Sequence, residues 1–427
     1  MQNKAGAPCF CIMEVHMKAL VIAGGLPQIE LLKQLKSRGI ETVLADGNDK
    51  AIARPYADHF YQIQIFDIEA VKELAVKEEV DFLITVCADQ VLLVVAQVSE
   101  MLGLPCYINY ETAQDVSDKI RMKAIFKKNG IPTSDYVQLE RFDADRIQHL
   151  QFPLVVKPVD AYSSKGVRKA ENMEQLEQFY GEAEAISRSG GVIVEEFCEG
   201  EEISVDAFVQ NGKAKILCIS NSEKIKDDGR FVIFRGRYPV SASQAVIDRI
   251  GQVAQMIADA FHLENCPLLI QMIDRGNEVS VLEFCARTGG NMKYLLIKYS
   301  CGVDVISAAI DLAMGITPEI NPVNTGNNYV VNDFIYCHPG KFAGVEGYEQ
   351  LLQEGVLTEF HALRPLGTDA RGVFSSSDRI AGFTITADTL EHFNEKHRKV
   401  VENLKVMDEN GRDIMRHDLL PDLAELC

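Results

Sequence analysis

A chain of 427 residues, 47% hydrophobic and 25% charged, has the mix of an ordinary globular protein and the length for about two to three domains. That much apolar surface excludes disorder as the dominant state. With 43 Lys and Arg against 62 Asp and Glu, the formal charge is −19, which counts against nucleic acid and anionic membrane as partners. No apolar run approaches the roughly 18 to 20 residues that span a bilayer, and residues 91–98, broken by Gln97, read as a buried helix. The opening MQNKAGAPCFCIMEVH has one early Lys and a very short apolar stretch before Glu14 and His16, a poor signal peptide. Cys9 and Cys11 near His16 lack a fourth metal ligand, so residues 1–16 are expected to be a disordered leader. The 11 cysteines are odd in number and without paired spacing, which predicts reduced thiols and a cytoplasmic location.

From Met17 the pattern alternates. KALVIAG (18–24) predicts a strand ending in glycine, and QIELLKQLKSR (28–38) has helical spacing that stops at Gly39. A second strand at 40–46 ends on Asp46. A third strand at 81–86 feeds a helix over 89–102, closed by Gly103. Such alternation predicts a parallel sheet over 17–112. Gly24-Gly25 lacks the G-x-G-x-x-G spacing of a dinucleotide site. Asp46 stands where a hydride-transfer enzyme would bind ribose, but a lone acid at a strand end reads better as loop chemistry.

The middle of the chain changes character. An amphipathic helix is predicted over 113–129, ended by Gly130-Ile131-Pro132. A strand at 153–157, a Ser/Gly loop, a Glu- and Gln-rich helix at 173–186 and strands at 191–196 and 203–210 follow. A long helix at 244–261 precedes strands at 268–274 and 278–284. From about Val323, strand-like segments and a charged helix at 390–401 read as a separate α+β cap. No internal repeat is present.

Three segments carry candidate chemistry. In PLVVKPVDAYSSKGV, a strand delivers Lys157, and Ser163, Ser164, Gly166 and Val167 keep the next loop slim, as phosphate recognition requires. A plain turn would look the same in isolation. In VIVEEFCEGEEISV, the stretch Glu195, Glu196, Phe197, Cys198 could offer backbone groups to an adenine edge, and Glu202 a carboxylate to ribose; a solvated acidic hairpin is the alternative. Finally, Glu283 closes a strand and could hold Mg2+, with Arg287 placed to stabilise a transferring phosphoryl group or clamp a carboxylate. A structural Glu–Arg pair is the rival reading there. Arg235 and Arg237 in RFVIFRGRYP could meet an anionic substrate, although surface arginines on a hairpin are the more frequent case.

In this order the three segments resemble the ATP-grasp superfamily, from about Met17 onward. The likeness is greatest to its carboxylate–amine ligase branch, near carbamoyl-phosphate synthetase-like, glycinamide ribonucleotide synthetase-like and amino-acid ligase proteins. ITVCADQVLLVVAQVSEMLGLP looks like that branch's pre-grasp domain, and Asp118-Lys119 with Lys123 looks like its first phosphate-lysine helix. The resemblance implies a mixed α/β and α+β fold: a pre-grasp parallel-sheet domain at 17–112, a grasp domain at 113–322 with a mobile lid at about 134–196, and an α+β domain at 323–427. It implies ATP phosphates on Lys119 and Lys157 under the 163–167 loop, adenine along Glu195 to Cys198, ribose on Glu202, and Mg2+ on Glu283. Arg287 and Lys157 would be the catalytic cations.

Two departures stand out. Gln271 occupies a position where the family commonly has Glu, and Cys285 one where it commonly has Asn; Gln271 still offers a neutral oxygen, but a thiol is a poor Mg2+ ligand. The expected activity is ATP- and Mg2+-dependent joining of a small carboxylate to an amine through an acyl phosphate. The alternative is a nucleotide-binding protein with a degenerate metal site. Oligomeric state stays open, homodimers being common in the branch.

Overall fold

The computed structural model describes residues 17–161, 165–187, 190–225 and 231–420. The leader, Ser163 and Ser164 lie outside the described residues. Chain order begins with β1 (Lys18–Ile22), α1 (Leu26–Ser37), β2 (Glu41–Asp46), β3 (His59–Gln62), α2 (Ile68–Lys77), β4 (Phe82–Ile84) and α3 (Asp89–Leu102). The strands form a parallel sheet in the order β3-β2-β1-β4. Sequence reasoning passes over α2 and over β3, whose HFYQ is short and only partly covered. The order reverses between β1 and β4, which opens a crevice at their carboxyl ends beside Gly24 and Cys87. Asp46 serves its loop: its two oxygens accept the Gly24 and Asn48 N–H groups, each at 2.7 Å. α3 is the expected buried helix, stopped by Gly103 in the left-handed conformation.

The helix expected over 113–129 is two helices, α4 (Tyr110–Ser117) and α5 (Lys119–Lys128). Asp118 leaves helical geometry, and its carboxylate accepts the N–H groups of Ile120 and Arg121. Asp is a favoured N-cap, so the periodic pattern hides a restart that puts Lys119 in the first turn of the new helix. Next come β5 (Tyr136–Leu139), α6 (Ala144–Ile147), β6 (Leu154–Pro158), β7 (Arg168–Ala170), α7 (Met173–Ile186) and β8 (Val192–Glu196). They make a small antiparallel sheet, β5-β8-β6-β7, on which α7 packs Leu176, Phe179, Tyr180 and Ala183.

The remaining elements are β9 (Glu201–Gln210), β10 (Lys213–Lys224), β11 (Ile233–Tyr238), α8 (Gln244–Ala260), β12 (Cys266–Asp274), β13 (Val279–Cys285), α9 (Lys293–Cys301) and α10 (Val305–Ala313), then β14 (Tyr329–Ile335), β15 (Gly340–Glu346), α11 (Tyr348–Gln353), β16 (Glu359–Ala362), β17 (Asp369–Ala370), β18 (Ala381–Ala387), α12 (Leu390–Asn403) and β19 (Lys405–Asp408). Eight strands form one antiparallel sheet in the order β13-β12-β9-β10-β11-β14-β18-β16. Val246, Ile250, Val253 and Ile257 of α8 pack on Ile203, Val205, Ala207 and Val209. On the opposite face, α9 and α10 enclose Phe208, Cys218 and Val330. Helices on both faces explain why β9 is buried almost end to end.

The segment after 323 is not a separate cap. β14 pairs with β11, and β18 and β16 extend the same sheet, while β17-β15-β19 form a smaller one beside it. Arg235 and Asp333 meet across β11 and β14 although 98 residues apart, a pairing with no local trace in the sequence. Among the described residues no helix is long and apolar enough to cross a membrane. The eight described cysteines are free thiols.

Candidate active site

The small sheet meets the central one along a seam of buried charge. β6 presents Lys157 and β8 presents Glu195, with Lys157 Nζ 2.6 Å from Glu195 Oε1. Lys123, one turn along α5 from Lys119, puts its Nζ 2.6 Å from the other oxygen of Glu195. All three residues are buried. Lys123 also donates to Thr133 Oγ1 at 2.9 Å, and that hydroxyl donates to the Val281 carbonyl at 2.8 Å. Burial alone would raise the Glu195 carboxyl, but the Lys123 and Lys157 ammonium groups override it and hold the pKa at about 2. The carboxylate expected beside adenine is therefore the shared counter-ion of two lysines.

A group whose folded pKa lies below its ordinary 4.5 adds stability that is present above that value and lost as pH falls toward about 2. Glu195→Gln strands two buried ammonium groups, so it should destabilise the protein at neutral pH. That deficit relative to wild type should shrink between pH 5 and 2, read by urea unfolding at each pH. A deficit independent of pH would mean that Glu195 is not the ionised partner.

Lys119 points elsewhere. Its Nζ lies 3.5 Å from Glu283 Oε2 and donates to the Ala161 carbonyl at 3.1 Å. Of the expected phosphate loop, Gly166 and Val167 are described; Gly166 has φ +70° and sits where a Cβ would come within 2.9 Å of Pro158 and Ile186. Along the adenine segment, the Glu196 and Phe197 N–H groups donate to the Asp135 and Pro153 carbonyls. Cys198 N–H is left without a partner among the described residues. Phe197 and Phe231 have ring centres 6.4 Å apart, with Lys169 over the first and Lys224 over the second. Glu202 is ion-paired with Lys224 and accepts from Gln271 Nε2 at 3.4 Å.

Gln271 and Glu283 are directly opposed across β12 and β13, and Gln271 also faces Ser204 of β9. Burial pushes the Cys285 thiol well above its ordinary range, and the Asp89 carboxylate adds to the shift. Among the described residues no three His, Cys, Asp or Glu side chains converge as a metal cage. Glu283 and Gln271 nevertheless offer the hard oxygens that suit Mg2+, which takes one or two protein ligands alongside water and phosphate oxygens.

Arg287 is buried, donating through Nε to Asp89 Oδ1 at 2.6 Å and through a terminal nitrogen to the Thr288 carbonyl at 2.7 Å. Asp89 opens α3, so this pair ties the first sheet unit to the central one. Burial works against the Asp89 charge, but the guanidinium outweighs it and lowers the carboxyl pKa. Beneath the loop that follows, Lys293 reaches Ser220 Oγ at 2.6 Å and Asp206 at 3.4 Å. A Cβ at Gly289 would lie 2.7 Å from Lys293, which requires glycine there.

The surface reading of Arg235 is wrong. It is fully buried, bonded through Nε to Asp333 Oδ1 at 2.5 Å and in contact with His397 Nε2 at 2.7 Å. Arg237 is half-covered and pairs with Glu223 at 2.8 Å. Neither arginine belongs to the lysine seam. Lys123 was within reach of sequence reasoning as a partner of that seam, since it shares a helix face with Lys119. Asp89, Asp206 and Lys293 were not, because only the packing of distant elements gathers them.

A family model described as an ATP-grasp domain matches residues 150–294, from the strand of Lys157 to the loop of Arg287 and the start of α9. The carbamoyl-phosphate synthase of Methanobrevibacter smithii is 25% identical over 185 residues, 42% of this chain; the alignment covers 48% of that protein, about half its length. An L-amino acid ligase from Bacillus licheniformis matches with a TM-score of 0.75 at 18% identity, over 92% of this chain and 99% of that one. The biotin carboxylase domain of the Hydrogenobacter thermophilus 2-oxoglutarate carboxylase, solved with MgADP, ADP and bicarbonate, gives 0.77 at 16% identity, over 96% and 93%. These similarities at low identity show a shared fold.

Proposed function

We propose that the chain is an ATP-grasp enzyme, an ATP- and Mg2+-dependent ligase joining a small carboxylate to an amine, on the match of residues 150–294 to an ATP-grasp domain. The reading is carried by Lys119, whose ammonium spans from the loop after β6, at Ala161, to Glu283 on β13. A triphosphate cradled by that loop would thus lie within one side chain of the metal-binding carboxylate. Lys119 and Lys157 would exchange their carboxylate partners for phosphate oxygens. The open N–H of Cys198 would meet the adenine edge, between Phe197 and Phe231, and Glu202 would turn from Lys224 to the ribose. Residues 134–196 would act as the lid over the triphosphate, with the pre-grasp unit at 17–112 supplying Asp89 to the substrate side.

The substrate carboxylate attacks the γ-phosphorus in line; a C–O–P bond forms, the bond to the β-phosphate oxygen breaks, and ADP leaves. The amine then attacks the acyl carbon, loses a proton and expels phosphate. Lys157 and Arg287 stabilise the charge that develops, and the lid excludes the water that would hydrolyse the acyl phosphate. Glu283 and Gln271 would hold Mg2+, which when bound neutralises charge on the phosphate oxygens. Carbamoyl-phosphate synthase and L-amino acid ligase activities among similar proteins support a carboxylate and a nitrogen nucleophile as substrates.

The neutral Gln271 and Cys285 favour a second reading, nucleotide binding with little turnover. Amino acids offered singly and in pairs separate the two: carboxylate-dependent release of ADP and phosphate supports the ligase, and its absence across the panel favours the binding protein. Lys157→Ala should weaken ATP by about tenfold or more and AMP by less than about threefold, measured by calorimetric titration, because the lost charge faces phosphates. Equal weakening of both nucleotides would sink this placement of the triphosphate.

A further inference from the structure

Lys123 makes no contact that the ligase reading requires, yet it is the most deeply buried of the lysines around the site, at 1% exposure. The seam holds two ammonium groups and one carboxylate, each lysine 2.6 Å from its own oxygen of Glu195. One unit of positive charge is therefore left over. Without Lys123, Glu195 and Lys157 would form a closed neutral pair, and the lysine meant for phosphate would be held by its own neighbour. With Lys123, both oxygens of Glu195 are engaged, and Lys157 can leave without stranding a buried carboxylate. Leaving a buried charge uncompensated is strongly unfavourable, so this second partner sets how readily Lys157 moves.

Lys123 itself is fixed. Its Nζ donates to Thr133 Oγ1, Thr133 donates to the Val281 carbonyl, and Val281 N–H donates back to the Pro132 carbonyl at 2.7 Å. The anchored lysine thus hangs from the strand that carries Glu283 two residues later. Its ring neighbour is Tyr136, 5.3 Å from Nζ, which adds a second restraint on the lid side.

We infer that Lys123 is a positioning residue that neutralises Glu195 and so releases Lys157 to the triphosphate, without touching the nucleotide itself. The inference rests on the reading that Lys157 meets ATP phosphates, and Lys157→Ala tests that reading separately.

The experiment measures dissociation constants of the full chain for ATP, AMP and inorganic tripolyphosphate, the last reporting the phosphate subsite without any adenine contact. Lys123→Met should weaken ATP and tripolyphosphate about tenfold while AMP changes by less than about threefold. Lys123→Met combined with Glu195→Gln should bring tripolyphosphate back to within about threefold of wild type, since no carboxylate remains to hold Lys157. Glu195→Gln alone should bind tripolyphosphate more tightly than wild type, and this arm stands even if Lys123→Met folds poorly. Lys123→Met with unchanged ATP affinity, beside a Lys157→Ala that loses it, would overturn the inference and spare the nucleotide site. A double variant as weak as Lys123→Met alone would overturn it too, reducing Lys123 to a packing role. If Lys157→Ala leaves ATP affinity intact, the reading of the site fails and takes this inference with it.

Discussion

Glu283→Gln should abolish Mg2+-dependent turnover while leaving ATP bound as well as before, or better. The charge lost is the one carboxylate that faces Gln271 across β12 and β13. Two unit charges about 4 Å apart attract by several kcal/mol at an effective dielectric of about 20, before desolvation is subtracted, so a neutral amide cannot replace the anchor. The same substitution removes the carboxylate 3.5 Å from Lys119, freeing that ammonium for phosphate. Loss of turnover with retained or tighter ATP binding is therefore the signature, and it separates a metal defect from simple misfolding. The complementary change, Gln271→Glu, places a second carboxylate opposite the first and should lower the Mg2+ concentration needed for half-maximal rate. Near-normal Mg2+-dependent turnover in Glu283→Gln would mean that the metal is anchored elsewhere and that the ligase mechanism loses its main support.

The parts of this site legible in the sequence are those whose chemistry sits at the end of a short, strongly apolar strand. Lys157, Glu195 and Glu283 could be picked out because β6, β8 and β13 are local apolar patterns with a charged group toward their carboxyl ends. What those groups touch was not legible. Glu195 reads as an adenine neighbour when β8 is taken alone, and becomes a shared counter-ion only once β6 and α5 are packed on either side of it. Arg287 likewise reads as an unpaired cation until α3 brings Asp89 against it from a unit nearly two hundred residues earlier. The break at Asp118 is hidden in the sequence for a different reason. Helical periodicity runs through it without a gap, and only the capping geometry distinguishes one long helix from two short ones. The boundary near 322 failed because strand pairing is non-local: β14 carries its own alternation, but nothing in that alternation says that β11 is its neighbour.

Arg235 gives the sharpest consequence of that non-local pairing. The pair it forms with Asp333 joins the two halves of the eight-stranded sheet, with both side chains fully out of solvent. His397 of α12 closes the third side, 2.7 Å from the guanidinium and 3.7 Å from the carboxylate, and Glu223 lies 3.9 Å away on the fourth. Removing the arginine leaves Asp333 charged in a place water does not reach, a change that typically costs about 3–5 kcal/mol. Arg235→Met should therefore lower global stability by about that amount, seen as a lower denaturant midpoint with an unchanged slope. Replacing both partners, as Arg235→Met with Asp333→Leu, removes the stranded charge and should recover most of the loss, since apolar packing often matches a buried ion pair. At temperatures where the single variant stays folded, its ATP affinity should equal that of wild type, because Arg235 lies apart from the Lys157–Glu195 seam. A cost below about 1 kcal/mol would mean that the β11–β14 junction is held by its backbone ladder and apolar neighbours, with the ion pair adding little. A selective loss of ATP binding would instead give the arginines of RFVIFRGRYP a substrate role and move the anionic site to the opposite face of the sheet.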